Sequence, residues 1–128
     1  MNNETKIIRI AQQTIQIEAA AISALHNSIN NDFSSCIELI YASNGRLIVT
    51  GIGKSAIVGQ KIVATLNSTG TPSIFMHAAD AIHGDLGMIQ DEDIVLCLSK
   101  SGETAEIKVL IPLIKNLKNL IIAIVSNE

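Results

Sequence analysis

Apolar residues recur at three- and four-residue steps at Ile8, Ala11, Ile15, Ala19, Ile22, Leu25 and Ile29, the spacing of one face of a long amphipathic helix. Asn30-Asn31-Asp32 interrupts that face and offers an N-cap for a second helix carrying Phe33, Cys36, Ile37 and Ile40. Gly45 reads as the C-terminal stop of that helix. The period then changes. Leu47-Ile48-Val49-Thr50 is a short buried strand and Gly51-Ile52-Gly53-Lys54-Ser55 a tight turn, while Val58, Ile62 and Leu66 form the stripe of a third helix. Gly70 and Pro72 end that helix before a second strand, Ser73-Ile74-Phe75-Met76. The segment His77 to Asp91 is mostly irregular, with Gly84 and Gly87 as hinges and one helical turn near Ala78 to Ile82. Such length between elements favours a functional role. A third strand, Ile94 to Leu98, leads into Ser99-Lys100-Ser101-Gly102-Glu103-Thr104-Ala105-Glu106 and then a helix marked by Ile107, Leu110, Ile114 and Leu117. Pro112 predicts a kink in it, because no N–H is there to reach Lys108. Leu120 to Val125 is the fourth strand.

Four nearly all-apolar strands joined by helical segments predict an α/β fold, a three-layer αβα sandwich around a parallel sheet covered on both faces. Right-handed crossovers with one reversal of direction predict the flavodoxin-like strand order 2-1-3-4. In such sheets ligands bind beyond the carboxyl ends of the strands, where the order reverses. The turn at Gly51–Ser55 and the stretch beginning at Ser99 then meet at one switch point. The fourth strand is apolar on both faces, yet the chain stops three residues later at Glu128. An open apolar edge is an aggregation liability, so a fifth strand is expected beyond this chain and the domain is expected to be incomplete at its C-terminal side.

At 128 residues the chain allows one domain at most. A hydrophobic share of 48% and a charged share of 16% suit a buried core and argue against disorder. A net charge of −3 gives no electrostatic case for nucleic acid or an anionic membrane, so a phosphate ligand must be caught by a local site. Cys36 and Cys97 stand in apolar contexts without metal or redox spacing, as reduced core cysteines of a cytoplasmic protein do. No signal peptide is visible, and the longest apolar run is far too short to span a bilayer.

Two readings of the Ser99–Glu106 stretch are open. Free N–H groups at a helix N-terminus, a partial positive dipole and nearby hydroxyls seat a phosphate. The same residues also make an ordinary cap, with Ser101 or Thr104 satisfying the first turn and glutamates complementing the dipole. Around Gly53-Lys54-Ser55 a P-loop is excluded, because its first glycine would fall at Ile48 inside the strand. Gly51-x-Gly53-x-x-Ala56 matches a dinucleotide fingerprint, but Phe75-Met76-His77 offers no acid for a ribose. Lys54, at the mouth of the switch point, is either a surface lysine or a cation for a phosphate or carbonyl. Glu103 and Glu106 are assigned to the first turn of the last helix; Glu106 either complements the dipole or moves a proton. His77-x-x-Asp80-x-x-His83-x-Asp85 fits no standard zinc signature, so no metal is expected, and His83 serves better as a polar or acid–base group.

Gly51-Ile-Gly-Lys-Ser, His83-Gly-Asp-Leu-Gly-Met and Ser99-x-Ser-Gly-Glu-Thr-x-Glu106, in that order, strongly resemble the sugar isomerase (SIS) domain of the D-arabinose-5-phosphate isomerases. The likeness covers nearly the whole chain. It implies a single SIS domain over residues 1–128, without the regulatory CBS pair that many members carry. It further implies reversible interconversion of D-ribulose 5-phosphate and D-arabinose 5-phosphate, feeding 3-deoxy-D-manno-octulosonate for lipopolysaccharide, in a cytoplasmic homotetramer with shared sites. By the same likeness Ser99, Ser101 and Thr104, with Ser55 in addition, form the phosphate seat. Lys54, Glu106 and His83 take catalytic positions, and Gly51, Gly53, Gly102 and Asp85 belong to the substrate-binding loops. Aldose–ketose isomerisation needs a proton carrier between C1 and C2 and a donor or cation at the carbonyl oxygen. With lysine supplying that charge no cofactor is required; His77 and His83 are the residues to consider for a metal. The family also uses a glutamate and a histidine after the fourth strand, which this chain ends before; Glu128 stands earlier than that glutamate. The piece alone is therefore expected to be impaired. A second reading, of a different class, is a non-catalytic sugar-phosphate sensor, a use to which SIS domains are also put.

Overall fold

A computed structural model describes residues 2–126. Residues up to Glu38 form one compact unit and those from Leu39 a second. In the first, helix α1 (Asn3–Ala24) is capped by Asn2, whose Oδ1 accepts from the Glu4 N–H at 2.8 Å. The apolar period runs on to Ile29, but the α-helix ends at Ala24 and Leu25–Ser28 is a 3₁₀ turn. Helix ends commonly tighten in this way, and the sequence period does not register it. No residue of α1 is buried. Helix α2 (Asn31–Ala42) starts where the polar break lies, with Asn30 Oδ1 accepting from the N–H groups of Asp32 and Phe33.

The second unit holds the sheet. Strands β1 (Leu47–Gly51), β2 (Ser73–His77), β3 (Ile94–Leu98) and β4 (Leu120–Ile124) are all parallel, in the order β2-β1-β3-β4. Helix α3 (Lys54–Ser68) covers one face, where Gly59 lies against Val49 and Phe75. The other face buries Ile48, Met76, Val95 and Cys97 beneath Ile107, Leu110 and Ile114 of α5 (Ala105–Asn116) and beneath the short α4 (Ala78–Ile82). Alternate residues of the central strands β1 and β3 therefore point into two different helical layers, which is why these strands read as continuous apolar runs. In the segment after β2 the expected helical turn is α4, and Asp85–Met88 adds a 3₁₀ turn that was not expected. β4 is an edge strand with Leu120 and Ile124 exposed. Among the described residues, no helix is long and apolar enough to cross a membrane.

The start of α5 differs from expectation. It begins at Ala105 with Thr104 as N-cap, so Glu106 lies in its first turn but Glu103 precedes it. Glu103 pairs instead with Lys108. The helix also runs through Pro112 without interruption. Pro112 and Lys108 are both exposed, so water can replace the missing donor at the Lys108 carbonyl. Past the C-cap Leu117, Lys118 adopts the left-handed conformation at φ 66° and its N–H reaches the Lys115 carbonyl at 3.0 Å. That position favours glycine.

The amino ends of β1 and β3 are clamped. Asp93, buried, accepts at Oδ1 from the Arg46 backbone N–H (2.8 Å) and Nε (3.1 Å), and at Oδ2 from Arg46 Nη2 (2.7 Å) and the Gln90 N–H (2.8 Å). Asn119 Nδ2 adds bonds to the Asp93 and Gln90 carbonyls just before β4. Burial alone pushes the Asp93 carboxyl up, but its bonds from the Arg46 side chain and the Gln90 and Arg46 N–H groups, with the Arg46 charge, outweigh that and hold it below the ordinary carboxylate range. A carboxyl depressed in the folded state stabilises in full above the unfolded value of about 4, and that stability is lost as pH falls through the folded value. Asp93→Asn should therefore lower unfolding free energy by about 2–3 kcal/mol near neutrality and flatten the acid limb below about pH 4, read by urea titration at several pH values. An unchanged midpoint and acid limb would remove the clamp from the stability of the sheet. Lys118→Gly should raise stability by about 0.5–1 kcal/mol in the same titration by relieving the left-handed backbone, and a loss would contradict the strain at that turn.

Candidate functional site

Register Thr50↔Cys97 between β1 and β3 brings the exits of both strands to one edge of the sheet. The crowding there is tight. A Cβ at Gly51 would lie 3.2 Å from the Leu98 carbonyl oxygen and 3.2 Å from Ser55 Cβ, so the two turns approach through the hydrogen of a glycine. Gly53 then takes φ 60° and ψ −129°, a conformation open to glycine, and α3 starts at Lys54.

The loop after β3 is held largely by its own hydroxyls. Ser99, buried, accepts at Oγ from the Gly102 N–H (2.9 Å), and Ser101 Oγ accepts from the Glu103 N–H (3.1 Å). Both serines thus close turns ahead of the helix and cap none of its first-turn N–H groups; an accepting hydroxyl still keeps its own proton to donate. Thr104, the N-cap by position, makes no capping bond, and its Oγ1 is buried without a partner among the described residues. The first-turn N–H groups of α5 are left without helical acceptors, as at any helix start. The Ser99 N–H donates to the Ile124 carbonyl (3.1 Å), while the Ser126 N–H (3.0 Å) and Oγ both donate to the Lys100 carbonyl, tying the loop to the exit of β4.

An open depression of about 400 Å³ lies where these pieces meet. Lys54, Ser55 and Val58 line it from α3, Leu98 to Lys100 from the exit of β3, and Ile124 to Ser126 from the exit of β4. Of the sequence candidates, the depression thus brings together Lys54, Ser55 and Ser99. Gly51, Gly53, Ser101, Gly102 and Thr104 belong to the same two turns, and Glu106 is half-buried in the first turn of α5. His83 and Asp85 are exposed on the segment after α4 and do not line the depression. His77 accepts from the Ala79 N–H at Nδ1 (3.2 Å), and among the described residues no three His, Cys, Asp or Glu side chains gather as a metal site. A second depression, about 330 Å³ at the amino ends of β3 and β4, holds none of the candidates. Sequence reasoning assigned no role to Lys100 or Ser126. The predicted order 2-1-3-4 is the signal that finds Ser126, because it sets the turn after β4 beside the turn after β3.

Comparison with known proteins agrees with the fold. Arabinose 5-phosphate isomerase KdsD of Pseudomonas aeruginosa is 50% identical over 127 residues, 99% of this chain and 39% of the relative. The protein of that name from Yersinia pestis is 49% identical over 116 residues, 91% of this chain and 35% of its own length. The chain therefore spans less than two-fifths of the length of these relatives. A solved structure from Escherichia coli CFT073, in complex with arabinose 5-phosphate, superposes at a TM-score of 0.92 with 38% identity, covering 99% of this chain and 67% of that one. A family model for the SIS domain matches residues 39–128, the sheet and both turns included, and the chain belongs to the SIS domain family.

Proposed function

We propose that this chain carries the sugar-phosphate site of an arabinose-5-phosphate isomerase, interconverting D-ribulose 5-phosphate and D-arabinose 5-phosphate. The observation that carries the reading is the meeting of Lys54 and Ser55 with Ser99 in one depression. The names of the relatives and the sugar-phosphate complex of the Escherichia coli protein support the choice of sugar. In this reading the phosphate sits against Ser99, Ser101 and Thr104 and the first turn of α5, with Ser55 from the facing turn. A base takes a proton from C1 of the ketose and returns it to C2, while a proton passes from O1 to O2. Glu106 carries the first proton and His83 serves the oxygens. Lys54 offsets the negative charge that develops on the enediolate oxygen, and chemistry of this kind requires no cofactor. Gly51, Gly53, Gly102 and Asp85 shape the substrate loops.

The whole protein acts as a cytoplasmic homo-oligomer, a tetramer with shared sites, in the supply of 3-deoxy-D-manno-octulosonate. The exposed Ile7, Ile8, Ile15 and Ile22 of α1 support association between copies. One observation favours a sensor instead: of the three candidate catalytic groups, Lys54 alone lines the depression. Measuring binding and turnover on the whole protein separates the two readings, since a sensor binds the pentose phosphate and forms no aldose.

Lys54→Met and Glu106→Gln should each lower aldose formation from ribulose 5-phosphate by about 10²–10³-fold while leaving binding within a few-fold, read by a discontinuous product assay beside calorimetry. Product at the unaltered rate in both variants would refute the assigned chemistry. Ser101→Ala should weaken binding of D-arabinose 5-phosphate about tenfold, the loss of one charge-assisted hydrogen bond. Equal affinity in that variant would take the phosphate off this loop.

A further inference from the structure

The depression carries more positive charge than the proposed chemistry uses. Lys54 and Lys100 both line it, and no acidic side chain does among the described residues. Neither lysine is in an ion pair among the described residues, and the acid nearest in sequence to Lys100, Glu103, is engaged by Lys108. Lys100 is exposed, but its backbone is fixed: the Ser126 N–H and hydroxyl hold its carbonyl, and Ser99 before it bonds the Ile124 carbonyl. Its ammonium therefore swings on an anchored stem, at the position between Ser99 and Ser101 in the chain.

We infer that Lys100 is a second cation of this site, which engages the phosphate end of the ligand and leaves Lys54 for the sugar oxygen. The inference rests on the sugar-phosphate reading above and deepens it. A phosphate monoester bears about −1.5 to −2 charges at neutral pH, so Lys54 alone leaves it under-neutralised while serving two tasks. Lys100 follows Ser99 and precedes Ser101, both in the loop that donates to the phosphate, and so lies at the anionic end. The apolar Leu98, Ile124 and Val125 beside it reduce screening of the attraction. Lysine suits the task as a mobile point charge that needs no fixed fork geometry. The ligand class that follows is a dianionic sugar monophosphate, in preference to a sugar bearing a single carboxylate.

The test is calorimetric titration of the 128-residue chain with inorganic phosphate, D-arabinose 5-phosphate and unphosphorylated D-arabinose, for the unaltered chain, Lys100→Gln and Lys100→Arg. Lys100→Gln should weaken both phosphate and the sugar phosphate about tenfold at low salt, with the gap closing as ionic strength rises. Lys100→Arg should restore most of the affinity, and thermal melting of the free chain should be unchanged, since Lys100 is exposed. Unaltered affinity in Lys100→Gln, with the unaltered chain binding the sugar phosphate, overturns the role of Lys100 and leaves the sugar-phosphate reading standing. A tenfold loss that Lys100→Arg does not repair, or that salt does not diminish, likewise overturns a role through charge. If the unaltered chain binds neither phosphate nor D-arabinose 5-phosphate, the sugar-phosphate reading falls and the inference falls with it.

Discussion

The pairing of β1 with β3 is the constraint on which the rest of this molecule depends, and it is secured at both ends. At the amino ends Arg46 and Asp93, each one residue before its strand, lock together through side chain and backbone. At the carboxyl ends Gly51 permits the close pass beside the Leu98 carbonyl. A slip of β1 by one residue would turn Ile48 out of the layer it shares with Val95 and α5 and swing Thr50 with it. It would also carry Lys54 out of line with Ser99. The clamp lies a full strand length from the site, yet it sets the frame in which the two turns face each other.

The loop after β3 is shaped by its own hydroxyls. Ser99 and Ser101 satisfy N–H groups within their own turn, which gives the loop a defined shape without a ligand. The same bonds leave the hydroxyl protons free to point outward, because each oxygen has spent an acceptor position inward. Thr104 is the exception, with Oγ1 buried and unpartnered among the described residues. A buried hydroxyl in that state costs free energy that an incoming acceptor would relieve. Neither serine reaches the first turn of α5 and Thr104 makes no capping bond, so the ordinary-cap reading of this stretch does not hold: the loop is closed by its own hydroxyls and the helix start is left open.

The sheet was legible because its signal is local and redundant. Leu47–Thr50 and Ile94–Leu98 are short, almost wholly apolar runs bounded by turn residues, and handedness then leaves few strand orders. The end of α1 was not legible, since a 3₁₀ turn at Leu25–Ser28 keeps nearly the same apolar spacing as an α-helix. Sequence alone places Glu103 inside α5 because Ser101 and Thr104 are both plausible caps by type, and only the backbone distinguishes them. Asp93 and Arg46 pass as ordinary charges at strand ends; their meeting spans 47 positions of sequence and leaves no periodic trace. Ser126 and Lys100 escape for a related reason: their link crosses from the exit of one strand to that of its neighbour.

Cys97 lies in the layer beneath this site, opposite Thr50, with its thiol buried and pushed up by that burial. Such a thiol is seldom ionised, and no oxidant or electrophile reaches it while the strands stay paired. Its chemical lifetime is therefore governed by how often the centre of the sheet breathes open. Whatever tightens the two turns above it, a bound anion included, protects this sulfur from damage without touching it.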